Sequence, residues 1–346
     1  MDKIILEQIG HFLDTVMTLN VHFKYLKGDT IGGLFQKCKT LLKINQNSLS
    51  IFVARDIINK IQEKDKFLIL TGWPILPAGP FGEMDGPPGA VVLSKAINQS
   101  CKAIPVFVHE EAINKVIIDA CRLAGMSVLE IEEALKAGNA CSIINYPLDT
   151  NEEKNANIHS KILDSINPSY VIAIERPGMN EKGQYHTRWG ANVSEGVAKI
   201  DYLFKEAKRR GIPTLAIGDC GNELGMGKIK ETLFDLFPEG KKCKCPCSGS
   251  IAGIIESDIT FISTVCNWGA YAITAGLAVL KEDPTILHDG VTEKRILLKC
   301  AENGAIDTSI MAPRATPESL SLNFHCNLVE LIKEVVERGI LGTSGL

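Results

Sequence analysis

PTLAIGDCGNELGMG, residues 213–227, carries a fold and a site in one stretch. Residues 213–217 form a continuous apolar run, and four glycines then surround Asp219, Asn222 and Glu223. An apolar run this short, without polar alternation, predicts a strand covered on both faces. The glycines permit a turn closed to other residues. The same grammar recurs at 67–70, 104–108, 127–131, 170–174 and 259–263, with helical patterns between the runs at 91–99, 111–124, 194–210 and 270–280. Strands alternating with helices predict an α/β fold with a mainly parallel sheet and helices on both faces. Residues 1–65 read as helical, with helical spacing in 4–16 and 33–42, and 282–346 read as mainly helical, ending in 328–338. We expect these to be N- and C-terminal flanks on a sheet core spanning 66–281, all within one domain. The polar stretch 149–157 is the weakest candidate boundary.

Composition narrows the function. The 346 residues are 45% hydrophobic and 23% charged, with a net charge of -4. The densest basic cluster is Lys241, Lys242 and Lys244, which argues against nucleic acid as a partner. The 20 uncharged residues 261–280 are long enough to span a membrane, but Asn267, Gly269, Gly276 and several hydroxyls favour a buried strand followed by a buried helix. Eleven scattered cysteines, an odd number, suit a reducing compartment. The first residues lack the pattern of a leader, so a cytoplasmic location is expected.

Ligands of open α/β sheets bind beyond the carboxyl ends of the strands, and the unusual residues gather there. After 67–70 comes TGWPILPAGPFGEMDGPPGA, residues 71–90, a loop whose Gly/Pro density fixes its shape and admits a ligand close to the backbone of Thr71 and Gly72. Glu83 and Asp85 repel each other unless a proton or a cation is shared, and a hard divalent cation, Mg²⁺ or Mn²⁺, suits them. Asp85 could equally cap the helix opening at Pro87. After 170–174 stand Glu175 and Arg176; an Arg there can grip a carboxylate with two parallel hydrogen bonds, or merely tie down a loop. GQYHTRWGANVS, residues 183–194, adds Tyr185, His186 and Arg188. In GDCGNELGMG, residues 218–227, Asp219 and Glu223 are candidate ligands of the same cation; alternatively Asn222 caps a helix and Glu223 favours its dipole. This segment is neither a dinucleotide fingerprint nor a P-loop. Asn267, after 259–263, either orients substrate or caps the helix it precedes. Cys243, Cys245 and Cys247 lack the spacing of common zinc sites and are expected to be reduced surface thiols. Cys220 has no visible base.

Together, residues 71–90, IERPG (174–178), GDCGNELGMG and the segment 266–269 resemble the C-terminal domain of the D-glutamate cyclase family, which also occurs as a stand-alone protein. The resemblance is strongest over 67–280. Cys220 replaces a usual Gly and Trp73 a usual Phe, neither change removing a charge. The resemblance implies a lyase that converts D-glutamate to 5-oxo-D-proline and water. It also implies a divalent metal held by residues drawn from Glu83, Asp85, Asp219 and Glu223. On that reading Thr71, Gly72, Arg176, Asn222 and Asn267 contact the substrate, with Arg176 on its α-carboxylate. Glu175 supplies the proton for the departing oxygen, and Asp219 acts through the metal. The mitochondrial members join this domain to a hydro-lyase-like region that this sequence lacks, so a separate hydro-lyase-like partner is one expectation. Homo-oligomerisation is another, since the apolar flanking helices suit it, although core packing explains them equally well. Two other functions fit the acids: metal-dependent hydrolysis of a phosphorylated metabolite, and non-catalytic metabolite binding.

Overall fold

The computed structural model describes residues 1–21, 29–44, 46–76, 78–148 and 152–342, with only the backbone for 152–156. The expected boundary at 149–157 therefore lies partly outside the described residues. Seven strands form one sheet: β1 (Lys66–Thr71), β2 (Ile104–His109), β3 (Ser127–Val128), β4 (Ala140–Asn145), β5 (Tyr170–Ile174), β6 (Thr214–Gly218) and β7 (Ile259–Ile262). Their order is β3-β4-β2-β1-β5-β6-β7, and every pairing is parallel. β2, β5, β6 and β7 are buried at every position, as strands covered on both faces must be. β4 escapes the sequence reading because Ser142 interrupts its apolar run and leaves only short pieces on either side. The expected strand at 127–131 shrinks to two residues on the sheet edge.

Twelve α-helices surround the sheet among the described residues. The N-terminal flank supplies α1 (Lys3–Met17), α2 (Thr30–Leu41) and α3 (Leu49–Lys60). Between strands run α4 (Pro87–Cys101), α5 (Asn114–Leu123), α6 (Ile131–Ala137), α7 (Glu152–Ile166), α8 (Asp201–Arg209) and α9 (Lys230–Leu236). After β7 come α10 (Cys266–Lys281), α11 (Gly290–Glu302) and α12 (Leu322–Leu341). The uncharged stretch 261–280 resolves into the end of β7, a turn and α10, and no described helix is long and apolar enough to cross a membrane. α10 instead lies under α3 so closely that a Cβ on Gly276 would stand 2.9 Å from Ala54 Cβ. The helix expected from 194 starts only at Asp201. Ala198, just before it, gives its N–H to Glu110 and its carbonyl to Arg176, which holds this segment out of helical geometry.

The chain leaves β1 toward β2 on one side and returns through β5 on the other. The crevice beyond the carboxyl ends of β1 and β5 is therefore the topological switch point of the sheet, where ligands of such folds bind.

Candidate functional site

Two helix N-termini meet at this switch point and cap each other. Asp85, in the loop before α4, accepts hydrogen bonds from the backbone N–H of Cys266 (2.7 Å) and Asn267 (2.8 Å), the first residues of α10, and from Gly86 (3.0 Å). In return Asn267 Oδ1 accepts from the N–H of Gly86 (3.0 Å) and Gly89 (2.7 Å) at the start of α4. Each residue thus satisfies orphan amides of the other's helix, and Asp85 also takes the Gly86 N–H before its own helix. Gly86 makes the approach possible: its φ is +98°, and a Cβ there would lie 2.6 Å from Glu175 Cβ. Glu223 plays a similar part in its own loop, accepting from the N–H groups of Asp219, Cys220 and Gly221 at 2.8 to 3.0 Å.

Around these anchored carboxylates stand acids without such saturation. Glu175 ends β5 with φ +42°, a conformation that costs a residue bearing a Cβ roughly 1–2 kcal/mol. Its Oε2 accepts from Cys266 Sγ at 2.7 Å. Glu83 accepts from Thr308 Oγ1 at 2.6 Å. The C-terminal flank supplies Glu318, itself at φ +53°. Burial pushes the carboxyls of Glu83, Glu175 and Asp219 well above the usual range; Glu318, Asp219 and Glu223 respectively are the neighbours that push each furthest. Burial likewise takes Asp85 up to about 6, against the pull of its three amide donors. Glu318 rises to about 8 through burial and the nearby Asp85, with Arg188 opposing.

The two arginines divide the cationic work. Arg176 is fully buried and engaged: its terminal nitrogens hold Glu110 in a two-point pair at 2.6 Å each and donate to the carbonyls of Gly72 and Ala198 at 2.9 Å. Its terminal nitrogens thereby tie three loops together, and its buried Nε has no partner among the described residues. Arg188 is the guanidinium whose charge faces Cys220, Asp219, Glu318 and Glu223, and its buried Nε has no partner among the described residues. Thr71 Oγ1 and Asn222 Oδ1 are also buried without partners, while Asn222 Nδ2 donates to the carbonyl of His186. Burial holds the Cys220 and Cys266 thiols well above their usual range.

The donor set fits a hard divalent cation. Ligand atoms of Asp85, Glu175 and Cys266 lie within 4.8 Å of one another, and so do those of Asp219, Cys220 and Glu223. Crowded buried carboxylates must share protons or a cation, and oxygen donors suit Mg²⁺ or Mn²⁺. Asp85 and Glu223 have most of their lone pairs committed to backbone amides, which leaves Glu175 in the first group and Asp219 in the second as the more available carboxylates, while Glu83 belongs to neither group.

Sequence reasoning missed Glu318, Thr308 and Glu110. Glu318 stands in a polar connection with no apolar run before it, so nothing local marks it. It reaches the site because Ile306 pairs with the loop after β1, giving its N–H to Gly82 O and taking one from Met84 N.

A family model described as D-glutamate cyclase-like, C-terminal, matches residues 38–333, a span that includes Glu318. The human protein D-glutamate cyclase, mitochondrial, is 33% identical over 238 residues, covering 67% of this chain and 34% of that protein. The chain thus spans about a third of that relative's length.

Proposed function

The chain belongs to the D-glutamate cyclase-like C-terminal family, and from that premise we propose that its acidic centre is a metal-assisted lyase site closing a glutamate-like amino acid to its 5-oxoproline. The observation that carries this reading is the convergence of Glu83, Glu175, Asp219 and Glu318, carboxyls pressed toward the neutral form by burial, with Arg188, which the surrounding acids keep charged.

In the reaction the substrate amine attacks its own γ-carboxyl carbon. A C–N bond forms, a C–O bond breaks, and the oxygen leaves as water with two protons, balanced by the two that the substrate ammonium gives up on becoming the lactam N–H. A divalent cation, Mg²⁺ or Mn²⁺, held by Asp219 and Glu223, with Glu175 and Asp85 forming the adjacent acidic group, would neutralise the γ-carboxylate as a Lewis acid. Arg188 takes the role first given to Arg176: its guanidinium, charged among the acids and with a buried Nε–H that has no partner among the described residues, would bind the α-carboxylate and hold the chain curled for attack. Glu318, with a carboxyl raised to about 8, keeps a proton at neutral pH and would donate it to the departing oxygen. Thr71 Oγ1 and Asn222 Oδ1 are buried polar atoms suited to the substrate amine and carboxyl.

Proton NMR of D- and L-glutamate with metal-stripped protein, then with Mn²⁺ or Mg²⁺ restored, tests this. Metal-dependent 5-oxoproline from the D-isomer is expected, and Asp219→Asn should lower the rate by about 10²-fold or more and weaken metal binding together. Unchanged metal affinity in that variant removes Asp219 from the centre. A folded, metal-loaded protein that leaves glutamate intact overturns the single-chain cyclase. Turnover of a phosphorylated metabolite instead would assign a hydrolase, and turnover only beside a hydro-lyase-like protein would assign a subunit.

A further inference from the structure

The second cluster of metal-binding side chains lies apart from the acids. His186 and Cys243, Cys245 and Cys247 place one ligand atom each within 4.8 Å of one another. Cys243 Sγ stands 3.4 Å from both Cys245 Sγ and Cys247 Sγ, and His186 Nε2 stands 3.2 Å from Cys245 Sγ and 3.5 Å from Cys247 Sγ. The thiols are not expected surface groups: Cys243 and His186 are buried, and Cys245 and Cys247 are half-buried. None is in a disulfide.

These distances decide between chemistries. A disulfide needs sulfurs about 2.0 Å apart. With bonds of about 2.3 Å to sulfur and about 2.0 Å to nitrogen, a tetrahedral zinc ion separates its ligands by roughly 3.5–3.8 Å. The observed spacings fall within a few tenths of an ångström of that tetrahedron and far from the disulfide. Four protein ligands close the coordination sphere, the arrangement of a structural site. Hydrogen bonds to the sulfurs support thiolates, Gly249 N–H reaching Cys247 Sγ at 3.5 Å and Asn192 Nδ2 reaching Cys245 Sγ at 3.7 Å. Three thiolates and a neutral imidazole around Zn²⁺ leave one negative charge, in a segment that also carries Lys241, Lys242 and Lys244. The spacing C-x-C-x-C hid the site because its fourth ligand comes from a distant loop. Asn180 brings that loop in: its Oδ1 accepts from Lys182 N and Gln184 N while its Nδ2 donates to Ser250 O.

We propose that His186, Cys243, Cys245 and Cys247 bind one structural zinc ion that clamps the hairpin around His186 to the loop 243–250. Ligation through Nε2 leaves the ring proton on Nδ1, 3.4 Å from Asn180 Nδ2, so that contact opens when zinc binds. The clamp bears on the acidic centre indirectly. The His186 carbonyl holds Asn222, and Arg188 leaves the same hairpin toward Asp219 and Glu318.

The test is elemental analysis of the full chain purified without chelator from zinc-supplemented culture. One zinc per chain is expected, released in step with thiol modification by a mercurial. Cobalt(II) in its place should show thiolate charge-transfer bands and the intense visible bands of a tetrahedral site. Asp219→Asn should keep the zinc, which separates this site from the acidic centre and from the cyclase reading. Cys245→Ser combined with Cys247→Ser should lose it, and His186→Cys, a four-thiolate site, should retain it even where the serine variant fails to fold. A folded protein with no zinc and a colourless cobalt form overturns the proposal, as do a disulfide among these cysteines and zinc retained in a folded double-serine variant.

Discussion

His325 has a single tautomer open to it. The indole Nε1–H of Trp268 donates to His325 Nδ1 at 3.1 Å, and an indole nitrogen can only donate. Nδ1 is therefore the acceptor, and Nε2–H donates to Pro317 O at 3.2 Å. A second proton on Nδ1 would face the indole N–H, and burial lowers the imidazole pKa from its usual 6.5, with Glu293 and Pro317 O opposing. The sign of the pH effect follows. The unfolded chain takes up a proton below about 6.5 that the folded chain refuses, so this contribution is full above that pH and is lost as pH falls toward the lowered folded value. His109, also buried with a lowered pKa, acts in the same direction, whereas the raised carboxyls of Asp85 and Glu318 favour the folded state at low pH. We expect His325→Gln to be less stable than the parent at about pH 7.5, with the gap narrowing by about pH 5.5. Melting temperatures of both proteins across that range check this, and a gap independent of pH would place the imidazole outside the titration. The residue matters because Pro317 precedes Glu318, so His325 pins the turn that delivers an acid to the site.

Two helices, α4 and α10, form the frame of the acidic centre, and their reciprocal caps couple them. Asp85 satisfies three amides and Asn267 Oδ1 two, and the Asn267 N–H is itself bound to Asp85 Oδ1. Removing either side chain orphans buried donors of the other helix. In metal-free protein we expect Asp85→Ala and Asn267→Ala each to cost about 2 kcal/mol, and the double variant to cost less than their sum by about 1 kcal/mol. Denaturant unfolding of the four proteins measures this; strict additivity would mean that the two caps act alone. Sequence reasoning placed both residues at helix starts but paired each with its own helix, because the partner across 180 residues of chain is set by the sheet order and not by local pattern. The same limit explains Arg176 and Glu110. An Arg at a strand end is legible as a gripping group, but which carboxylate it grips depends on β2 lying beside β1. What local pattern does reveal is chemistry at strand ends. Glu83, Asp85, Glu175, Asp219 and Glu223 were visible there because glycine-rich turns and continuous apolar strands mark those ends.

At the scale of the whole molecule, the flanks are structural parts of the site as well as of the core. One contiguous apolar cluster runs from Leu13, Met17 and Ile57 in the N-terminal flank through Leu70, Ile172, Ile217 and Phe261 in the sheet to Ile296, Leu328 and Val336 in the C-terminal flank. Polar ties cross the same boundaries: Thr264 donates to Leu19 O, Tyr170 OH to Asp56, and Tyr271 OH to Glu293. The helical periodicity of the flanks was legible in the sequence, whereas their contribution of Thr308 and Glu318 was not, because those residues lie in irregular connections. No apolar gap separates flank from sheet, so a flank cannot leave without exposing the core of the other parts. Unfolding should therefore be a single transition despite a length at which chains often divide. Calorimetric and van't Hoff enthalpies should agree, and the fluorescence of Trp268, buried at the start of α10 against Phe324 and His325 of α12, should change in step with far-ultraviolet dichroism. If the C-terminal flank were an independent layer, the indole signal would change first while the sheet persisted. The acidic centre would then lose Glu318 before the fold was lost. Coincident transitions instead mean that the energy holding Glu318 against Glu83 and Asp219 is drawn from the whole core, which is what a site of mutually repelling carboxylates requires.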